Sequence, residues 1–307
     1  MRLGEFRAVH LSQLDKKARK FPWQEHLKAQ HPVRVEVVSR KSKIYHARAA
    51  AERIENAIVY SVGNRISQDA DICIKVRIEK ILVKISIDST GEGLHKRGYK
   101  SSTGKAPMRE TLAAAFLRMC KFDPSQPLID PMCGSGTFVI EAAEIAVGQA
   151  PGKRRAFSFQ KFKSFDSRAF EVLFLDQKII TKVDLHLLGY DRDNGAIKNS
   201  RQNAQLANVS DITNFNHQPI SDLVPLSNQC GLIIFNPPYG ARIGDKKKLY
   251  ALYARIGTVL KSKFPGWRVG LITADRSLAK TTQIKFSFVS EPVSHGGLKV
   301  RLYHAIL

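Results

Sequence analysis

The chain has 307 residues, 43% of them hydrophobic, enough to build one large α/β domain and a smaller companion. Its 49 lysines and arginines against 27 acidic residues give a net charge of +22, which favours a nucleic-acid partner over a small acidic metabolite or a merely soluble surface. No apolar run has the length of a membrane span, and the four cysteines show neither a disulfide framework nor a zinc pattern. We therefore predict a cytoplasmic protein with no metal site and no membrane partner.

The first ninety residues carry the order strand, helix, strand, strand. Valines alternate with charged residues over 32–39, and alanines and isoleucines share one helical face over 45–59. Residues 71–77 and 80–87 alternate again, as two paired strands do. The pattern predicts a small α+β domain over residues 1–90, which is suited to gripping phosphates.

A glycine-rich, basic linker is predicted over residues 91–105. Basic side chains here and in the first domain either contact RNA or simply face water, and the solvated face is the ordinary role of any single lysine. The residues that we predict to bind RNA are Lys41, Lys43, Lys96, Arg97 and Lys100.

Residues 106–307 alternate strands with helices, which is typical of a doubly wound sheet. A helix over 106–120 begins the domain, and another is predicted over 246–263. The chain closes with a hairpin around Gly296-Gly297, so its last strand should be antiparallel. The predicted fold class is α/β, a Rossmann-like and mostly parallel sheet preceded by the small α+β domain.

A glycine-rich turn follows the first strand of this sheet, from Asp130 to Gly136, and leads into a helix. Such a turn lets a ligand approach the backbone closely. It is neither GxGxxG nor a P-loop, and the acidic residue favours a cationic or hydroxyl-bearing ligand over phosphate. Asp191 ends the next strand, where a carboxylate suits ribose hydroxyls, although a long connector separates it from the turn.

That connector, residues 150–182, is rich in lysine, arginine and phenylalanine. We predict that its phenylalanines pack in a core and do not stack on bases. They are Phe157, Phe159, Phe162 and Phe165.

The stretch GLIIFNPPYG, residues 231–240, predicts a buried strand that stops abruptly at Asn236. Two prolines fix the backbone, so the asparagine side chain and the nearby carbonyls form a rigid cluster of acceptors. Such a cluster suits the amino group of adenine or guanine, with Tyr239 offering a face for the base. The plainer reading is an ordinary Asn-Pro turn.

Three blocks, DPMCGSGTF (130–138), GYD (189–191) and NPPYG (236–240), together resemble the amino-group methyltransferases that use S-adenosylmethionine. Three more, RGYK (97–100), APMRETLAAAFL (106–117) and LYARIGTVLK (252–261), resemble the bacterial 23S ribosomal RNA guanine-N2 methyltransferases that carry a THUMP domain. The resemblance covers almost the whole chain. From the resemblance we expect the chain to begin partway through the family's RNA-binding domain, with residues 1–90 a partial THUMP-like domain and 106–307 the catalytic domain.

The resemblance implies transfer of a methyl group from S-adenosylmethionine to N2 of a guanine in 23S ribosomal RNA, free or in an assembling particle. The implied catalytic residues are Asn236, Pro237 and Tyr239. The implied cofactor-binding residues are Thr111, Asp130, Met132, Cys133, Gly134, Ser135, Gly136, Asp191, Asp222 and Asn236. The adenine contact is expected at Asp222 or nearer Pro219.

Two alternatives remain open from the sequence. Methylation of adenine N6 in DNA or RNA uses the same Asn-Pro-Pro-aromatic turn, so the guanine assignment depends on the flanking blocks. The other is a basic RNA-binding assembly factor with a vestigial cofactor site. The intact acidic and glycine positions argue against it, and the expected shortening of the N-terminal domain argues for it.

Overall fold

The computed structural model describes residues 1–100, 107–175, 186–225, 229–239 and 246–307. Its helices are α1 (Leu11–Arg19), α2 (Ala47–Val62), α3 (Glu110–Met119), α4 (Thr137–Ala146), α5 (Ser167–Leu175), α6 (Asn194–Leu206), α7 (Lys246–Lys263) and α8 (Arg276–Thr281). Its strands are β1 (Arg2–Arg7), β2 (Val33–Arg40), β3 (Ile72–Glu79), β4 (Leu82–Ile87), β5 (Leu128–Asp130), β6 (Leu187–Asp191), β7 (Thr213–His217), β8 (Leu232–Phe235), β9 (Arg268–Thr273), β10 (Phe288–Val289), β11 (Val293–His295) and β12 (Leu298–Ile306).

Two compact units divide the chain. The first comprises Met1–Gly93 and Arg155–Leu175, and the second comprises Leu94–Arg154 and Asp176–Leu307. The division by contacts thus differs from the division by sequence in two places. Residues 94–100 of the predicted linker belong to the second unit, and residues 155–175 of the connector belong to the first.

The first unit is a four-stranded sheet in the order β1-β4-β3-β2. β3 and β4 pair antiparallel, as predicted, while β2 and β3 run parallel because α2 crosses between them. α2 ends at Gly63, whose φ of 82° is the left-handed cap conformation that glycine adopts freely. Alternating side chains of the strands and one face of each of α1 and α2 form the core. Strand β1, which the sequence patterns did not predict, covers β4 at the edge.

Two of the four phenylalanines of the connector pack in the core as predicted. Phe162 is 4% exposed and belongs to the core of the first unit, and Phe159 packs against the same core. Phe159, Phe165 and Phe170 form a cluster of ring contacts with centroids 5.3–5.8 Å apart. Edge-to-face contacts of this kind stabilise a core and leave little ring surface for stacking on a base.

The second unit is built on a sheet in the order β10-β12-β9-β8-β5-β6-β7, with β11 paired to β12. Strands β5 to β9 run parallel, and β12 pairs antiparallel with β9, which confirms the predicted departure from parallel winding. The hairpin turn lies at Gly296-Gly297 and helix α7 spans the predicted residues. Ala106, residues 183–185 and Gly240, at the ends of predicted elements, lie outside the described residues.

The middle one of the five parallel strands is β5, with β6 on one side and β8 on the other. From β5 the chain continues outward through β6 and β7 and then returns to the other side of β5 for β8 and β9, so the strand order reverses between β5 and β8. Ligands of open α/β sheets bind at such a switch point, beyond the carboxyl ends of the strands. In the part of the chain that the structure describes, no helix combines the length and the apolar character needed to cross a membrane.

Candidate functional site

A cavity of about 1190 Å³ opens at the carboxyl ends of β5, β6 and β8. Short segments that follow β5, β6, β7 and β8 form one part of its wall, and residues just before α3, on α7 and at the β11–β12 turn form the rest. The residues that line it are Pro107, Arg109, Pro131, Met132, Asp191, Arg192, Asp193, Pro219, Ile220, Ser221, Asn236, Pro237, Pro238, Tyr239, Leu252, Arg255, His295, Gly296, Gly297 and Leu298. The sheet topology therefore brings Asp191 and Asn236, 45 positions apart in the sequence, into one wall.

The glycine-rich turn after β5 is held in shape by hydrogen bonds from its neighbours. Gly134 and Gly136 have φ values of 54° and 80°, which favour glycine. The backbone N–H of Gly134 donates to Asp191 Oδ2 at 3.0 Å, and that of Asp193 donates to Asp191 Oδ1 at 3.0 Å. The Asp191 carboxylate thus has a fixed orientation, and each oxygen keeps a lone pair for a further donor.

Two polar residues of α6, which the sequence patterns did not single out, also hold this turn. Ser200 Oγ donates to the carbonyl of Gly134 at 2.8 Å, and Asn203 Nδ2 donates to that of Ser135 at 3.0 Å. Both side chains are buried. The only sequence signal for them is a pair of polar residues three positions apart on an otherwise apolar helix face.

Close packing supports the turn from the β6 side. A Cβ atom at Gly189 would lie 2.4 Å from Cδ1 of the buried Phe215 ring and 3.2 Å from Cβ of Cys133. Only glycine lets β6, β7 and the turn approach this closely.

Asp130 supports the turn and does not line the cavity. It is 2% exposed, and its Oδ1 accepts a hydrogen bond from the backbone N–H of Met132 at 3.1 Å. Burial raises the pKa of its carboxyl well above the ordinary value, and the charge of Asp191 raises it further. Cys133, Gly134, Ser135 and Gly136 likewise form the turn behind the wall, whereas Met132 lines the cavity.

The Asn236–Tyr239 turn lines the cavity with all four of its residues. The Asn236 Oδ1 atom is enclosed and has no hydrogen-bond partner. Burial raises the pKa of the half-buried Tyr239 phenol, and a hydrogen bond from the Asn236 side chain acts in the opposite direction. Tyr253 of α7 supports the turn, because its fully buried hydroxyl donates to the Pro238 carbonyl at 3.4 Å.

Two further predicted cofactor-binding residues, besides Asp130 and the glycine-rich turn, do not line the cavity. Asp222 is exposed and its Oδ1 accepts a hydrogen bond from Ser221 Oγ at 2.9 Å, while Pro219, Ile220 and Ser221 line the cavity. Thr111 is also exposed on α3. Its segment contributes Pro107 and Arg109 to the wall instead.

Two of the predicted RNA-binding residues are not surface charges, which corrects the prediction for them. The Arg97 guanidinium, 6% exposed, donates to both carboxylate oxygens of Glu141, at 3.3 and 3.2 Å. Lys100 Nζ donates to the carbonyl of Met108 at 2.7 Å and lies 3.3 Å from the Glu110 carboxylate. Both cations lie beside buried acidic partners, Glu141 on α4 and Glu110 on α3, because a buried charge needs a partner.

The other three predicted RNA-binding lysines, Lys41, Lys43 and Lys96, are exposed. Sequence reasoning missed the cations and the histidine that the cavity wall does contain. They are Arg109, Arg192, Arg255 and His295. Within the described residues, no cluster of histidine, cysteine, aspartate and glutamate could hold a metal ion.

Comparison with known proteins matches both parts of the chain. The profile described as RMKL-like, methyltransferase domain, matches residues 97–303, and the THUMP domain profile matches residues 8–88. A candidate RNA methyltransferase of Synechocystis sp. is 32% identical over 98% of this chain and 81% of its own length. The ribosomal RNA large subunit methyltransferase K/L of Syntrophotalea carbinolica is 34% identical over 98% of this chain, which spans only 45% of that longer protein.

Two solved structures resemble the chain over 99% of its length. The crystal structure of a candidate methyltransferase complexed with SAH is 27% identical, with a TM-score of 0.87 and 82% of its own chain covered. A structure from Listeria monocytogenes that carries the name of an N6-adenine-specific DNA methylase is 29% identical, with a TM-score of 0.84 and 80% covered.

Proposed function

Because the chain belongs to the RMKL-like methyltransferase family, whose profile matches 97–303, we propose that it transfers a methyl group from S-adenosylmethionine to N2 of a guanine in 23S ribosomal RNA. The observation that carries the proposal is the Asn236–Tyr239 turn in the wall of a cavity that Asp191 also lines. The acceptors of the Asn236–Tyr239 turn suit an amino group, and the Asp191 carboxylate suits ribose hydroxyls.

The cavity wall fits the cofactor's parts. The oriented Asp191 carboxylate has lone pairs left for the two ribose hydroxyls, and Pro131 and Met132 would face the methionine end. The segment Pro219–Ser221 would hold the adenine. S-adenosylmethionine supplies a methyl group already activated by the positive sulfur.

The residues of the turn act on the amine. Asn236 Oδ1 and the Pro237 carbonyl would accept the two hydrogens of the guanine amino group, which favours a pyramidal nitrogen with a localised lone pair. That lone pair forms the N–C bond while the C–S electron pair leaves with sulfur. The amine becomes acidic only as it attacks, so it loses its proton to solvent without a strong base. Tyr239 offers a ring face on which the base can stack.

The preference for RNA and for guanine has separate support. The THUMP domain profile and the net charge of +22 favour RNA as the substrate. Guanine N2 is favoured by the family blocks around the turn and by the relative named for ribosomal RNA. The exposed Lys41, Lys43 and Lys96 are proposed phosphate contacts, and a ribosomal RNA substrate, free or in an assembling particle, would place the reaction in the cytoplasm.

Methylation of adenine N6 is the second candidate. It has one specific support, the solved relative named for N6-adenine methylation of DNA, which shares the fold at a TM-score of 0.84. The turn alone accepts either amino group, because both purines present an exocyclic NH2.

Nucleoside analysis tests the proposal. The purified chain would be incubated with labelled S-adenosylmethionine and in vitro transcribed 23S ribosomal RNA, and the digested RNA analysed by mass spectrometry. We expect N2-methylguanosine. N6-methyladenosine would keep the chemistry and overturn the choice of base, while a cofactor-binding chain that methylates nothing would favour a non-catalytic RNA-binding factor.

A further inference from the structure

One polar side chain in the cavity wall has no role in the proposed reaction so far. His295 is the last residue of β11 and precedes the two-residue turn Gly296-Gly297, whose φ values of 56° and 84° suit glycine. The backbone pairing of His295 with Leu298 closes this hairpin tightly. The turn fixes the backbone of His295, so the side chain is held in the wall with 6% of the residue exposed.

The Nδ1 atom of His295 is enclosed and has no hydrogen-bond partner. Among the residues that line the cavity, Asn236 also carries such an atom, its Oδ1. An enclosed polar atom without a partner is unfavourable, and in a native protein it calls for a reason such as a catalytic or binding role. Two such atoms on residues that line one cavity are acceptors that a bound ligand would satisfy once the two side chains turn toward it.

The charges around His295 favour a neutral ring. Burial lowers the pKa of the imidazole, and the positive charges of Arg109 and Lys100 lower it further. A neutral imidazole keeps a lone pair on one ring nitrogen and can accept a hydrogen bond there. Arg109 itself lines the cavity, so this side of the wall is also attractive to the phosphates of a nucleotide.

The size of the cavity leaves room for a base beside the cofactor. Pockets for one small ligand commonly measure about 300–1,000 Å³, and this cavity measures about 1190 Å³. Enzymes that modify a base bind it flipped out of its stack, in a pocket of its own. His295, Leu298 and Arg255 contribute wall that the cofactor parts assigned above do not use.

Guanine and adenine differ at the ring atom next to the amino group. In guanine the neighbour of the C2 amino group is N1–H, a donor, and in adenine the neighbour of the C6 amino group is N1, an acceptor. Resting on the proposed function, we propose that His295 determines base specificity, with its Nδ1 accepting a hydrogen bond from guanine N1–H while Asn236 holds the amino group. An adenine in the same place would bring its N1, an acceptor, against His295 Nδ1, also an acceptor, and no hydrogen bond would form.

Three variants test this proposal. His295→Leu removes the acceptor and fills similar space, whereas His295→Asn keeps an acceptor at the same number of bonds from Cα. His304→Leu is the matched control, because His304 lies on the adjoining strand β12, has an enclosed Nε2 without a partner, and does not line the cavity. The measurements are kcat/KM on 23S ribosomal RNA transcript and the affinity for S-adenosylhomocysteine.

We expect His295→Leu to lower kcat/KM about tenfold, the usual effect of one hydrogen bond, with the cofactor affinity changed less than about twofold. His295→Asn should stay within about threefold of the wild type, and His304→Leu should match it. A wild-type rate in His295→Leu, or an equal loss in the Asn variant, would overturn the proposal. If the wild type makes no N2-methylguanosine, the proposed function itself is contradicted and the inference with it.

A measurement on the wild type needs no variant to fold. Guanosine monophosphate and the monophosphate of 2-aminopurine riboside both carry the C2 amino group, but 2-aminopurine has an acceptor at N1. Bound to the complex with S-adenosylhomocysteine, the guanosine nucleotide should have the higher affinity, by about tenfold. Equal affinities in the wild type would refute the role of His295, and so would a preference for guanosine monophosphate that persists unchanged in a folded His295→Leu variant.

Discussion

The two sides of the cavity differ in how their polar groups are satisfied. On the side of the glycine-rich turn, backbone and side chains are hydrogen-bonded to one another, from Asp191 and Gly134 to Ser200 and Asn203. On the other side, two residues that line the cavity carry enclosed atoms without hydrogen-bond partners, Asn236 Oδ1 and His295 Nδ1. The first side already has the shape that would hold the cofactor. The second side has acceptors that a bound ligand would satisfy. Changes on the first side should therefore affect cofactor binding or folding, and changes on the second should affect transfer.

The largest effect is expected from Asn236→Ala. Removing an acceptor that acts on the reacting amine should lower kcat about a hundredfold to a thousandfold, as the loss of one preorganised hydrogen-bonding group does in other active sites. The affinity for S-adenosylmethionine, measured by calorimetry, should stay nearly unchanged. Loss of cofactor binding together with activity would mean that the turn is only structural, and the contrast between the two sides would fail.

Asp191→Ala is expected to have the opposite signature. A hydrogen bond to a charged group contributes about 1.5–3 kcal/mol, so losing the carboxylate should weaken S-adenosylhomocysteine binding by about tenfold to a hundredfold. Asp211→Ala, an exposed acidic residue outside the cavity wall, is the control and should bind as the wild type does. An unchanged affinity in Asp191→Ala would show that the ribose is held elsewhere.

Gly189→Ala tests the packing of β6 against β7 and the glycine-rich turn. The added Cβ would meet the buried Phe215 ring at 2.4 Å, and overpacking of this kind lowers the free energy of unfolding by about 1–3 kcal/mol. Chemical denaturation measures the loss. The double variant with Phe215→Leu should lose less than the sum of the two single changes, because the shorter side chain relieves the contact. Strict additivity would argue that the two residues do not press on each other.

The smallest effect is expected from Tyr253→Phe. The hydroxyl supports the Asn236–Tyr239 turn through the Pro238 carbonyl, so its removal should lower kcat about twofold to tenfold and leave the KM for S-adenosylmethionine unchanged. Tyr250→Phe is the matched control on the same helix, because its hydroxyl lies 2.7 Å from Ser277 Oγ, outside the cavity wall. Equal rates in the two variants would leave Tyr253 a packing role only.

The sequence predicts the parts of the site that strand ends carry. Asp191 is the last residue of one apolar strand, and the Asn236–Tyr239 turn directly follows another. Parallel strands bring their carboxyl ends together. The antiparallel β12 was likewise predictable from its Gly-Gly turn. These features depend on local pattern and on a general rule of open sheets.

The rest depends on partners distant in the sequence. From the sequence Arg97 is predicted to be a surface cation, because its partner Glu141 is 44 positions away and is brought next to it only by the fold. His295 has no motif around it beyond the glycine turn, and its place in the wall follows from the path of β11. The composition of the connector also does not indicate that residues 155–175 belong to the first unit. Phenylalanines can pack against any apolar surface, so their presence does not identify which core they join.

The most direct test of the contrast between the two sides is a crystal structure of the chain with S-adenosylhomocysteine and guanosine monophosphate bound together. The account predicts the Asp191 carboxylate on the cofactor ribose, and the guanine amino group within hydrogen-bond distance of Asn236 Oδ1 and the Pro237 carbonyl. A nucleotide bound elsewhere, with Asn236 Oδ1 still unpartnered beside a filled cofactor site, would contradict it.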